Sequence, residues 1–156
     1  MSKPFNVRIY GLAIQDNKLL VLKEPFMGQI INKFPGGGLE FGEGTRDCLK
    51  REFKEELNLE ISVGKHFYTQ DFFMQSGIDP NEQILMIYYK VSINNILEFK
   101  LTDSEIREVN WIDLNTLSVN DLSLPTDKLV TEMLLKEISM TPGISRESGK
   151  YEAFED

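Results

Sequence analysis

The sequence predicts an α/β fold of the α+β kind, a mixed β-sheet with two helices, on three observations. Runs rich in branched and aromatic residues recur along the chain, only two segments carry apolar residues at helical spacing, and 156 residues suit a single core. Apolar residues at 41% and charged residues at 27% match a globular domain, so a sizeable core can form.

Residues 7–14 and 18–22 are rich in branched and aromatic residues, and Gln15-Asp16-Asn17 between them has turn composition, which predicts a β-hairpin. Residues 24–33 hold Pro25 and Gly28 and no steady period, and Phe34-Pro35-Gly36-Gly37-Gly38 leads a short strand into a glycine loop. Thr45 is placed to cap a helix running to Leu57, with Cys48, Leu49, Phe53 and Leu57 as its buried stripe. Asn58 ends it, because asparagine tolerates the left-handed conformation found just past helix termini.

Residues 61–74 and 83–93 read as longer strands that pair antiparallel, separated by the loop signal Ser76-Gly77-Ile78-Asp79-Pro80-Asn81. Residues 108–114 read as another strand. The second helix is expected over residues 126–138, with Leu129, Val130, Met133, Leu134 and Ile138 on its apolar face. Residues 1–140 are expected to form one domain, and 141–156, rich in Gly, Ser and acidic residues, a flexible acidic tail.

A formal charge of −8 with no basic run argues against nucleic acid as a partner, since polyanion binding is dominated by Lys and Arg. No window approaches the apolar length of a membrane span, so a membrane partner is not expected either. The single cysteine, Cys48, cannot form an internal disulfide and the N-terminus lacks a signal-like apolar stretch, which together predict a cytoplasmic setting. An acidic chain still binds phosphorylated small molecules where divalent cations invert the local field.

That condition is met between Gly37 and Leu59, where a glycine loop feeds a helix bearing Arg51-Glu52 and Glu55-Glu56. At 3.6 residues per turn, Glu52, Glu55 and Glu56 share one face. Like charges at these spacings oppose the helix by a few tenths of a kcal/mol per pair, so the cluster calls for solvent or a cation. All-oxygen donors suit a hard divalent ion such as Mg2+, which protein carboxylates commonly share with substrate phosphates. Glycines let the backbone approach metal or phosphate, Glu43 can reach back toward the cluster, and Arg51, about a quarter-turn from Glu52, is read as anchoring Glu55 or nearby backbone. Taken alone, a run such as residues 51–56 is a solvated helix face; the loop at that distance favours a metal site.

Gly37, five residues, Glu43, seven residues, and then Arg51-Glu52-Phe53-Lys54-Glu55-Glu56-Leu57-Asn58-Leu59 resemble the box of the Nudix hydrolase family. Asn58 stands where that pattern usually has glycine. The strand order, the segment Trp111-Ile112-Asp113-Leu114 and the last helix extend the likeness over residues 4–139. The resemblance implies a Nudix-type α/β/α sandwich with a mixed sheet. It implies metal ligands at Glu52, Glu55 and Glu56 and the Gly36 carbonyl, with Mg2+ as cofactor and Mn2+ as an alternative.

Some members add a carboxylate from a later loop; among Asp103, Glu105 and Glu108 we favour Glu105. The implied activity is hydrolysis of the diphosphate in a nucleoside diphosphate linked to another group, with Glu52, Glu55, Glu56, Arg51 and Glu105 as the catalytic set and a box glutamate or Glu105 taking the proton. The partner is then a nucleotide-type small molecule, and a homodimer is in keeping with the family.

Family signatures for ADP-ribose or NADH substrates are absent, and Gln75-Ser76-Gly77 stand there instead, so nucleoside triphosphates, dinucleoside polyphosphates and nucleotide sugars stay open. The family also includes an isomerase of diphosphate esters, which the box does not separate. The rival from another class is a catalytically silent sensor or protein-binding module on the same fold; such a chain loses box carboxylates, and this one keeps them all.

His66, the sole histidine, and Cys48 are read as structural. Phe5, Arg8, Phe26, Phe34 and Phe72 could stack on a base or grip a phosphate, but their residue types favour core for the aromatics and surface for Arg8. Trp111 is expected to pack on the last helix.

Overall fold

The structure is a computed structural model that describes residues 5–141. Seven strands and two helices follow in the order β1 (Phe5–Gln15), β2 (Lys18–Phe26), β3 (Gln29–Lys33), β4 (Gly36–Gly38), α1 (Thr45–Leu57), β5 (Ile61–Thr69), β6 (Gln83–Ile93), β7 (Glu108–Asp113) and α2 (Pro125–Met140). The expected tail, past Thr141, lies outside the described residues.

Sheet order is β3-β2-β1-β6-β5, with β4 also on β1 and β7 also on β2. Only β1 and β6 run parallel, in register from Phe5↔Gln83 to Ala13↔Val91; the remaining pairs are antiparallel, including β5 with β6 as expected. The sheet is therefore mixed. Asp16 and Asn17 both take positive φ, 49° and 61°, which is the backbone that a two-residue hairpin turn between right-twisted strands requires.

Alternation along β1 assigns one residue set to each face. Tyr10, Leu12 and Ile14 join Val130, Leu134 and Ile138 of α2 in one core; Ile9 and Ala13 join Cys48, Leu49, Phe53 and Leu57 of α1 in the other. A helix on each face makes the α/β/α sandwich. Between them, Gly11 gives its place to Phe53, whose ring would lie 2.9 Å from a Cβ built there. Truncating the fully buried Phe53 to alanine would cost about 3–5 kcal/mol.

Several sequence expectations need correction. Thr45 does not cap α1; Gly44 is the N-cap, and the Thr45 hydroxyl is instead 2.7 Å from the Tyr89 hydroxyl. The strand expected to reach residue 74 stops at Thr69, where Gln70 turns inward and its side chain bonds the Phe72 and Ile84 carbonyls. Residues 24–33 are not irregular: β2 runs on to Phe26 and turns through Met27 and Gly28, both at positive φ, into β3. Trp111 packs in the core under α1, because its pairing with Leu20 puts it on that face of the sheet.

Candidate metal centre and its cavity

Helix α1 presses on the glycine strand, and the closeness of that contact depends on glycine. A Cβ on Gly37 would lie 2.4 Å from Glu52 Oε1, so no other residue leaves the Glu52 carboxylate where it is. The helix ends at Asn58 in the left-handed region, φ 54° and ψ 35°, as expected. Its last carbonyls are met by the following loop: Lys100 N–H donates to Leu57, Thr102 N–H to Glu56 and the Thr102 hydroxyl to Glu55. The segment that carries Glu105 is thereby tied to the C-terminal turn of the box helix.

Arg51 is the hub of the cluster. It grips Glu43 with a two-toothed bond, Nε to Oε2 at 3.0 Å and Nη2 to Oε1 at 2.7 Å. It also donates to Glu52 Oε1 at 3.0 Å, to Glu55 Oε2 at 3.3 Å and to the Gly38 carbonyl at 3.1 Å. The sequence reading, which linked Arg51 to Glu55 or backbone, missed its contact with Glu52: the long side chain folds back over its helical neighbour. Glu43 does reach back as expected, and the Arg51 hydrogen bonds hold its carboxyl down to about 2.

Glu52 is 13% exposed and Glu55 60% exposed, so the three box carboxylates do not crowd equally. Glu56 is half-buried beside Glu52. Burial first, and then the charge and hydrogen bond of Glu52, push the Glu56 carboxyl up to about 8, against the pull of Lys33. Among the described residues no three carboxylate, His or Cys side chains converge tightly enough to enclose an ion. The expected triple cluster is thus a partly shielded Glu52–Glu56 pair with Glu55 at its exposed edge, and Arg51 Nη1 donates to both Glu52 and Glu55. Two neighbouring carboxylates with restricted access to water, an all-oxygen donor set, suit a hard divalent cation.

Gly36 is buried opposite Tyr10 of β1. Cys48 sits beneath the loop, its thiol 3.5 Å from the Gly38 carbonyl; burial pushes it up to about 12, so it packs as expected. The His66 ring lies edge-on to Tyr89 and bonds Thr69 Oγ1 at 2.8 Å.

Next to this face a cavity of about 600 Å³ opens between β1, β2, β6 and the start of α2. Its walls include Arg8, Tyr10, Glu24, Phe26, Lys33 and Glu105. Of the three loop carboxylates, Glu105 faces the cavity, whereas Glu108 pairs with Lys23 at 3.6 Å and Asp103 accepts from the Glu105 N–H. Arg8 and Phe26 line the cavity, contrary to their reading as surface and core; Phe34 is fully buried beneath α2, and Phe5 and Phe72 are exposed. Thr126 was missed as a wall residue, and its buried hydroxyl has no partner. Nothing in the spacing of α2 marks it, since the cavity depends on how α2 meets β2 and β6.

Fold and site together define a class of α/β/α domains in which an acidic helix lies under a glycine strand. The family model for the NUDIX domain matches residues 4–133, and the chain belongs to that family. The mRNA-decapping protein D10 of Fowlpox virus (strain NVSL) is 27% identical over 90 residues, 54% of this chain and 40% of that protein. Nucleoside triphosphatase NudI of Enterobacter sp. (strain 638) is 35% identical over 94 residues, 54% of this chain and 64% of that protein. The chain therefore spans less than two thirds of the length of these relatives. The solution structure of the E. coli ORF135 protein shares the fold, with a TM-score of 0.73 at 20% identity over 90% of this chain and 95% of that one. Among the described residues no helix is long and apolar enough to cross a membrane.

Proposed function

We propose that this Nudix hydrolase family member is a divalent-cation-dependent pyrophosphohydrolase that cleaves the diphosphate linkage of a nucleoside diphosphate joined to another group. The observation that carries the reading is the partly shielded Glu52–Glu56 pair, with Glu52 fitted against Gly37, near a nucleotide-sized cavity whose wall residues Lys33 and Glu24 act electrostatically on Glu56. A relative named for nucleoside triphosphates and another named for mRNA decapping are in keeping with phosphoanhydride substrates.

In this reading Glu52 and Glu56 hold Mg2+ or Mn2+, with Glu55 and the Gly36 carbonyl completing the set. A cation held there would supply Lewis acidity and water activation. Arg51, locked by Glu43, fixes the direction of the Glu52 carboxylate. Glu105, on the cavity wall, takes the proton from the attacking water as its oxygen bonds to phosphorus and the bridging P–O bond breaks. The cavity takes the nucleoside, with the partly exposed Phe26 against its base.

Product release is measured for a panel of nucleoside diphosphate derivatives with and without Mg2+, for wild type, Glu55→Gln and Glu56→Gln. Turnover that requires Mg2+ and is lost in Glu56→Gln is the expected result. Binding without turnover across the whole panel would overturn the reading in favour of a sensor.

A further inference from the structure

Three cations stand around the site, and they differ in what already holds them. Arg51 is committed to Glu43, Glu52 and Glu55. Lys33 is paired with Glu24 at 2.8 Å, and although burial works against its charge, Tyr10 and Glu24 more than offset that. Arg8 is different. Its Nε donates to the Tyr10 hydroxyl at 2.7 Å and its guanidinium lies 5.8 Å from the Tyr10 ring centre, but among the described residues it forms no ion pair with a carboxylate.

Placement explains why that matters. On β1, Arg8 stands opposite Gly38 of β4 and beside Met86 of β6, so its side chain leaves the sheet on the cavity face, and Gly38 contributes no side chain to cover it. Arg8 lines the cavity, and Glu52 is close enough to favour its charge electrostatically. It thus bridges the carboxylate face of α1 and the pocket. Its guanidinium spends Nε on a phenol and keeps Nη1 and Nη2 clear of any carboxylate on the cavity wall, where the planar fork is available to an anion. A purely structural role, as a platform for Tyr10, would need only the Nε bond.

We propose that Arg8 clamps the phosphoryl group on the nucleoside side of the scissile bond, its two terminal nitrogens meeting two phosphate oxygens where the metal face joins the cavity. The planar fork suits that geometry, which an ammonium cannot reproduce. The inference rests on the pyrophosphohydrolase reading and names the residue that would set the phosphate position within it.

Binding of the four common nucleoside monophosphates and their parent nucleosides is measured by calorimetry on the full chain with a chelator present, for wild type, Arg8→Gln and Arg8→Lys. Melting temperatures show that the variants fold. For at least one base, wild type should prefer the monophosphate over the nucleoside by about tenfold or more, Arg8→Gln should reduce that preference to about twofold, and Arg8→Lys should fall between. An unchanged preference in Arg8→Gln, or no preference in wild type for any base, overturns the proposal. Because the readout is metal-free binding, either result alongside Mg2+-dependent turnover overturns Arg8 alone. An Arg8-dependent preference without turnover on any substrate supports the clamp and overturns the hydrolase reading.

Discussion

A Cβ on Gly37 would stand 2.4 Å from Glu52 Oε1, so the glycine strand and the acidic helix are fitted to each other at one carboxylate. Gly37→Ala should leave the fold intact, since Gly37 does not need positive φ, but must displace the Glu52 carboxylate from its place against the strand. We expect turnover to fall by about tenfold to a hundredfold, the range seen when the support of a metal ligand is disturbed. Wild-type turnover in a folded Gly37→Ala protein would show that the contact has no part in catalysis.

Arg51 joins Glu43 to Glu52 through three of its bonds. Lysine keeps the charge but cannot make the two-toothed bond to Glu43 while reaching Glu52. Arg51→Lys should therefore lower kcat by about tenfold or more with little change in KM, because it alters the aim of a carboxylate and touches no substrate. A change confined to KM would place Arg51 on the substrate instead.

The box helix was legible in the sequence because its signals were redundant: the Cys48, Leu49, Phe53 and Leu57 stripe, the stop at Asn58 and the carboxylate spacing all pointed to one element. The hairpin and the antiparallel β5–β6 pair were legible for the same reason. β4 was not, since three glycines have no side-chain alternation and become a strand only by pairing with β1. The ends of the carboxylates were not legible either. Spacing places Glu52, Glu55 and Glu56 on one face, but it does not show that Glu52 is shielded to 13% exposure while Glu55 stays 60% exposed. The cavity depends on contacts between distant segments, so Arg8 looked like an ordinary strand residue and Phe26 like part of an irregular stretch.

Asn58 holds a position where the family pattern favours glycine, and its geometry shows why it is tolerated. At φ 54° it accepts the left-handed conformation, and its Nδ2 donates to the Glu98 carbonyl at 2.9 Å. Asn58→Gly regains backbone freedom and loses that bond, so stability should change by less than about 0.5 kcal/mol. Asn58→Ala loses the bond and strains the backbone, and should cost about 1–2 kcal/mol. Urea denaturation of both variants checks the order; equal stabilities would mean that the helix end relaxes around alanine.

Asp127, fully enclosed at the start of α2, accepts the Tyr88 hydroxyl at 2.6 Å through Oδ1, while Oδ2 has no partner. Burial raises its carboxyl to about 6 from an ordinary 3.8, despite the opposing pull of the Tyr88 bond and Lys33. An acid with a raised folded pKa holds its proton more tightly when folded. Its contribution to stability is therefore fully present below pH 3.8 and is lost as pH rises through about 6, after which the loss levels off. A rise of that size corresponds to roughly 3 kcal/mol as an upper bound. The substitution Asp127→Asn keeps the acceptor for Tyr88 and cannot ionise, so the variant should melt at a higher temperature than wild type at about pH 8, with the gap closing by about pH 4. Thermal melts across that range decide the matter, and a variant that tracks wild type at every pH would show that Asp127 ionises in the folded protein without penalty.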